Sequence, residues 1–258
     1  MSRRRMTPEM TVQTEKSPPK PVAAHTGLLI VAHGERGGST ENLLAHALAE
    51  RVRASGRYAE VEVGFLRARP RVEAAAARIA AHELAVYPLF MSDGYYVRTA
   101  IPDRLGVSAE GRRLRILSPL GVDPELPALI AGLARRAAER AGEESAATHL
   151  LLVAHGSSKS DESALAARAV AEKVANIADF ALVDVAFLEE EPFLDEALLG
   201  LPGPAVLLGL FAGDGLHAGE DLPAAVAKSG RLDIALCGPI AAEPALLDLI
   251  EAALARAG

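Results

Sequence analysis

The chain has 258 residues, 50% of them hydrophobic, with 34 acidic against 27 basic side chains, a net charge of -7, and 4% aromatic residues with no tryptophan. That length and apolar content suit one large core or two medium ones, while the acidic balance and scarce aromatics argue against a broad nucleic-acid surface or a base-stacking platform. The lone Cys237 excludes a disulfide framework and a cysteine-rich metal site, which fits the cytoplasm, and no apolar run is long enough to span a bilayer.

In chain order, residues 1–26 carry Arg3, Arg4 and Arg5 and the prolines Pro18, Pro19 and Pro21 without a periodic apolar face. They read as a flexible tail, and the basic start is not followed by the apolar stretch of a secretory signal. Short leucine-rich and β-branched runs at 28–32, 61–66, 84–90 and 114–117 have the length of buried strands. Between and after them, 41–54, 72–81, 101–105 and 125–141 read as helices. Small and charged residues at 142–148 mark a linker. Strands are then expected again at 150–154, 182–187, 205–211 and 234–237.

The second series repeats the first. Leu28 to Gly34 reads almost as Leu150 to Gly156, Val61 to Leu66 matches Val183 to Leu188, and Pro70 falls on Pro192, all 122 residues on. Leu89-Phe90, Gly94 and Ile101-Pro102 match Leu210-Phe211, Gly215 and Leu222-Pro223 at 121 residues, and Pro119 matches Pro239 at 120. The chain is therefore read as a tandem duplication, a first unit at 27–145 and a second at 146–258. Alternating strands and helices imply an α/β fold of two tandem doubly wound units, each with a parallel four-stranded sheet.

Ligands of such sheets collect beyond the carboxyl ends of the strands. His33-Gly34 and His155-Gly156 each follow the first strand of their unit, and His217 lies in the segment after the third strand of the second unit. Two neutral imidazoles in one cleft suit Co(II), Fe(II), Ni(II) or Zn(II), and they also serve as near-neutral bases. Glu220 and Asp221 follow closely, either orienting these groups or complementing a helix dipole. In the first unit Tyr96 stands where His217 stands in the second, so His33 lacks a histidine partner of its own. Arg36, Arg67, Arg69, Arg71, Arg98 and Arg104 fall on loops or helix starts of the first unit, and their repeat partners Ser158, Glu189, Glu191, Phe193, Gly219 and Ala225 are not basic. Guanidinium groups on one side and metal-binding imidazoles on the other suit a carboxylated ligand that meets a metal.

Taken together, strand-His-Gly, Phe-Leu with a downstream proline, Leu-Phe, Gly-x-His and a Leu-Pro helix start resemble the sirohydrochlorin cobalt and iron chelatases, the class II tetrapyrrole chelatases, in their fused tandem form. The resemblance covers both units. It implies insertion of Co(II) or Fe(II), the metal being a substrate, into sirohydrochlorin or a related tetrapyrrole of cobalamin or siroheme synthesis, by a cytoplasmic monomer or homodimer without an organic cofactor. It assigns His155 and His217 as catalytic and metal-handling residues. Arg67, Arg69, Tyr96 and Glu220 are the candidate substrate-binding residues, and His33 is a further candidate. Glu35 and Tyr96 depart from the family pattern. A non-catalytic metal or tetrapyrrole carrier would use the same residues. Ala32-His33-Gly34-Glu35 also looks similar to the start of the histidine phosphatases, but Ala32 replaces the phosphate-binding arginine that their chemistry requires.

Overall fold

The computed structural model describes residues 23–34, 43–106, 111–157, 161–213 and 221–257. The candidates His217 and Glu220, with Glu35 and Arg36, lie outside them. The first sheet runs β2 (Tyr58–Phe65), β1 (Ala23–Ala32), β3 (Glu83–Pro88), β4 (Arg113–Ile116). The second runs β6 (Leu182–Phe187), β5 (His149–Ala154), β7 (Ala205–Gly209), β8 (Ile234–Cys237). Every pair is parallel, as expected. The strand order reverses beside the first strand of each sheet, which opens a crevice between the carboxyl ends of β1 and β3 and again of β5 and β7.

The middles of the central strands are apolar because both faces are covered: Leu28, Leu29, Ile30 and Val31 are all 0% exposed. Burial of such side chains is worth about 1.5–3 kcal/mol each before the entropy of ordering the chain. Leu29 and Val31 point to an outer core with α2 (Val72–Ala76) and α3 (Ile101–Leu105). Leu151 and Val153 do the same with α6 (Leu194–Gly200) and α7 (Leu222–Ser229). The opposite faces meet in one inner core, where Leu28, Ile30, Leu150 and Leu152 share a cluster with α1 (Leu43–Ala54), α4 (Leu126–Ala141), α5 (Glu162–Ala175) and α8 (Leu246–Arg256).

Helix α4 shows how closely the halves interlock. Leu126, Ile130, Leu133, Ala134 and Ala137 repeat at helical spacing on its buried side. That face packs on β7 and β8 of the second sheet, where the Leu133 carbonyl accepts from the Cys237 thiol at 3.7 Å. In return, α8 packs on α1, and Arg256 reaches buried Asp123 at 2.6 Å and Glu125 at 2.9 Å. Arg57 also pairs with Glu251. Helix α4 of the first unit thus packs on the second sheet, and α8 of the second unit on α1 of the first.

Several boundaries differ from the sequence reading. β1 begins at Ala23, inside the stretch read as tail. The helix expected over 72–81 ends at Ala76, because Glu60 of β2 accepts from the amides of Ala80 and Ala81 at 2.6 and 3.0 Å and holds the chain in a turn. The strands expected to reach 90 and 211 stop at Pro88 and Gly209. A π-helical turn, Tyr96–Ala100, precedes α3 and was not anticipated.

Candidate functional site

At the end of each central strand the chain leaves the sheet through His-Gly, and Gly34 and Gly156 adopt φ of +80° and +73°, a region that disfavours any side chain. The amides of Arg67 and Glu189 then bond to the carbonyls of His33 and His155 at 2.8 and 3.0 Å. In both histidines Nδ1 lies close to the next glycine's carbonyl, at 3.1 Å for His33 and 3.2 Å for His155. A carbonyl only accepts, so this contact places the proton on Nδ1 and the ring lone pair on Nε2.

The surroundings of the two histidines then diverge. Glu189 Oε2 stands 3.6 Å from His155 Nδ1, close enough for an ion pair whenever the ring is protonated. Glu190 accepts from the Ser157 amide at 2.8 Å. On the inner side a cavity of about 220 Å³ opens between β5, β7 and α5, lined by His155, Ser163, Ala166, Val170, Phe211 and Met91 among others. It lies at the strand reversal, where a ligand is expected. The space comes from small side chains. Ala166 and Val170 occupy the places that Leu44 and Leu48 fill in the first unit, where both pack into the core.

In the first unit, Tyr96 fills the strand-end region. Its ring meets His33 edge-on at 5.0 Å and stacks on Phe90 at 6.0 Å, and Arg67 donates to its hydroxyl at 3.5 Å. Arg67 and Arg69 are exposed, as is Tyr95, whose ring lies 5.7 Å from that of Tyr96. The other described arginines are engaged locally: Arg71 with the Leu66 carbonyl, Arg98 with Asp93 and Arg104 with Glu73. The structure thus brings His33, Tyr96 and Arg67 together and sets His155 beside Glu189 and in the wall of the cavity.

Met91, Glu189 and the cavity-lining face of α5 were not singled out as site residues from sequence. The residue pairs 44/166 and 48/170 carried the cavity's signal once the repeat was aligned. Among the described residues, no three His, Cys, Asp or Glu side chains converge into a metal cage, and no helix is long and apolar enough to cross a membrane.

The CbiX family model matches residues 27–137 and again 149–257. The chain belongs to the CbiX family. A probable sirohydrochlorin cobaltochelatase of Halobacterium salinarum is 27% identical over 223 residues, covering 76% of this chain and 75% of the relative. Among solved structures, CbiX of denitrifying bacteria, described as the terminal enzyme for biosynthesis of siroheme, is 35% identical. That alignment covers 90% of this chain and 99% of the other, with a TM-score of 0.73. A multi-domain protein of Deinococcus radiodurans with structural similarity to chelatases matches at 26% identity and a TM-score of 0.76, over 91% of this chain and 56% of its own. Both copies of the repeat in this CbiX-family chain therefore fall under the same family model.

Proposed function

We propose that this chain is a sirohydrochlorin chelatase, a lyase of siroheme or cobalamin synthesis that inserts Co(II) or Fe(II), and that its working site is in the second unit. The observation that carries the assignment to that unit is the apolar cleft beside His155, where α5 carries Ala166 and Val170 in place of the Leu44 and Leu48 of α1. The sirohydrochlorin and siroheme names of the relatives support the substrate class.

Insertion exchanges two pyrrole protons for one divalent metal. His155 and His217 hold the metal through imidazole nitrogens, which suit Co(II) and Fe(II). As the metal passes to the ring nitrogens, the two released imidazoles accept the two pyrrole protons and return them to solvent. Glu189 faces the protonated His155 ring. In the first unit, Arg67 and Arg69 receive peripheral carboxylates of the macrocycle, and Tyr96 accepts a hydrogen bond from Arg67.

The test is anaerobic insertion of Co(II) into sirohydrochlorin, followed by absorbance against the spontaneous rate. His155→Ala and His217→Ala are each expected to lower the catalysed rate by about 100-fold, the order of general-base assistance, with His33→Ala costing far less. Circular dichroism checks that the variants fold. An inactive His33→Ala beside an active His155→Ala moves the site to the first unit. Binding of both substrates with no rate above background makes the chain a carrier.

A further inference from the structure

The wall of the second unit's cavity that faces the first unit is made by Met91, which follows β3 of the first sheet. Two close backbone approaches put it there. Gly121 donates its amide to the Phe90 carbonyl at 2.9 Å, and a Cβ on Gly121 would fall 1.9 Å from the Met91 carbonyl oxygen. Only glycine lets the chain after β3 settle that far onto the turn after β4. In the second unit Ala241 takes Gly121's place, its bond to Phe211 lengthens to 3.3 Å, and Ala212 replaces Met91. Further along the same loop, a Cβ on Gly94 would lie 2.5 Å from Glu162 Oε2, so the loop rests against the first residue of α5. The first unit's loop is thereby docked onto the helix that lines the cleft, and the repeat's symmetry is broken on both sides of the contact.

We infer that Met91 is a specificity-determining residue of the second unit's site, an apolar wall that seats one edge of the macrocycle beside His155. Gly121 is its positioning residue. The inference rests on the function proposed above. A thioether is a soft donor, poorly matched to Co(II) or Fe(II) in preference to imidazole, and its neighbours in the cavity are Ala154, Ala166, Val170, Leu210 and Phe211. The side chain therefore acts by shape and contact area, as an unbranched residue that fills an irregular gap.

The experiment measures steady-state insertion of Co(II) into sirohydrochlorin by the full chain and its Met91→Ala, Met91→Leu and His155→Ala variants, with Co(II) binding titrated separately in the absence of tetrapyrrole. Met91→Ala is expected to raise KM for sirohydrochlorin about 10-fold while kcat falls less than about threefold, the order set by removing one side chain's worth of apolar contact. Met91→Leu, of similar volume without sulfur, is expected to restore most of the lost affinity. Co(II) affinity in Met91→Ala stays at that of the parent. If Met91→Leu is as impaired as Met91→Ala, or if Co(II) affinity falls with the alanine, the sulfur is a ligand and the apolar-wall inference is overturned. An unchanged KM in Met91→Ala beside an inactive His155→Ala overturns the inference alone. An active His155→Ala overturns the site assignment beneath it.

Discussion

Arg67 and Glu189 occupy equivalent places, each with its amide bonded to the carbonyl of a strand-end histidine, yet they carry opposite charges. Opposite charge at one backbone position separates two tasks. A carboxylate beside His155 complements a cation or a protonated ring, whereas a guanidinium beside His33 and Tyr96 complements a carboxylated ligand. Replacing Arg67 and Arg69 together by serine is therefore expected to raise KM for sirohydrochlorin about 10-fold while Co(II) binding changes less than about twofold, as read by steady-state rates and metal titration. Collapse of metal affinity with unchanged substrate affinity would show that the two faces have been assigned the wrong way round. The charge inversion itself was readable from the aligned repeat. The contact of Tyr96 with both His33 and Arg67 was not, because it depends on a π-helical turn that side-chain periodicity does not reveal.

Helices α1 and α5 are the same element in two sizes, and the difference lies on the face turned to the strand ends. Where α1 carries Leu44 and Leu48, α5 carries Ala166 and Val170 and leaves a cavity of about 220 Å³. Converting Ala166 and Val170 to leucine together should fill that space at a stability cost below about 3 kcal/mol, because the added carbons enter a void. Insertion is expected to fall more than about 10-fold while thermal unfolding shows the fold intact. Normal turnover in this double variant would place the macrocycle elsewhere. The central strands were legible in the sequence because buried parallel strands read as apolar runs, and the edge strands β6 and β8 also have the expected bounds. Helix α2 was overestimated because the carboxylate of Glu60, which captures the amides of Ala80 and Ala81 beyond the helix end, comes from another element. Nothing local marks Met91 as part of a cleft whose histidine lies 64 positions further on (155 − 91).

At the scale of the molecule, the two sheets share one inner core, and α4 packs on the sheet formed by the other half of the sequence. This predicts a single cooperative unfolding transition. Cys237 offers a reporter, since burial and the neighbouring Glu243 push its thiol up to about 11 and leave little reactive thiolate near neutral pH. Its labelling by a thiol reagent at pH 8 should track global opening. Leu48→Ala in the first unit, expected to cost about 2–5 kcal/mol, should accelerate labelling of this second-unit cysteine. Unchanged labelling would mean that the halves open independently. Because the folded thiol holds its proton more tightly than its ordinary value of 9.0, its contribution to stability is complete below pH 9 and is lost as pH rises towards about 11. The packing of α4 has a last consequence, for how such a chain can change over generations. In an assembly of two identical units, any substitution made beside one histidine is copied beside the other, so neither side of the cleft can specialise without its twin. Joined in one chain and locked by α4, the halves inherit separately: tyrosine, arginine and leucine can accumulate around His33 while alanine and glutamate persist around His155.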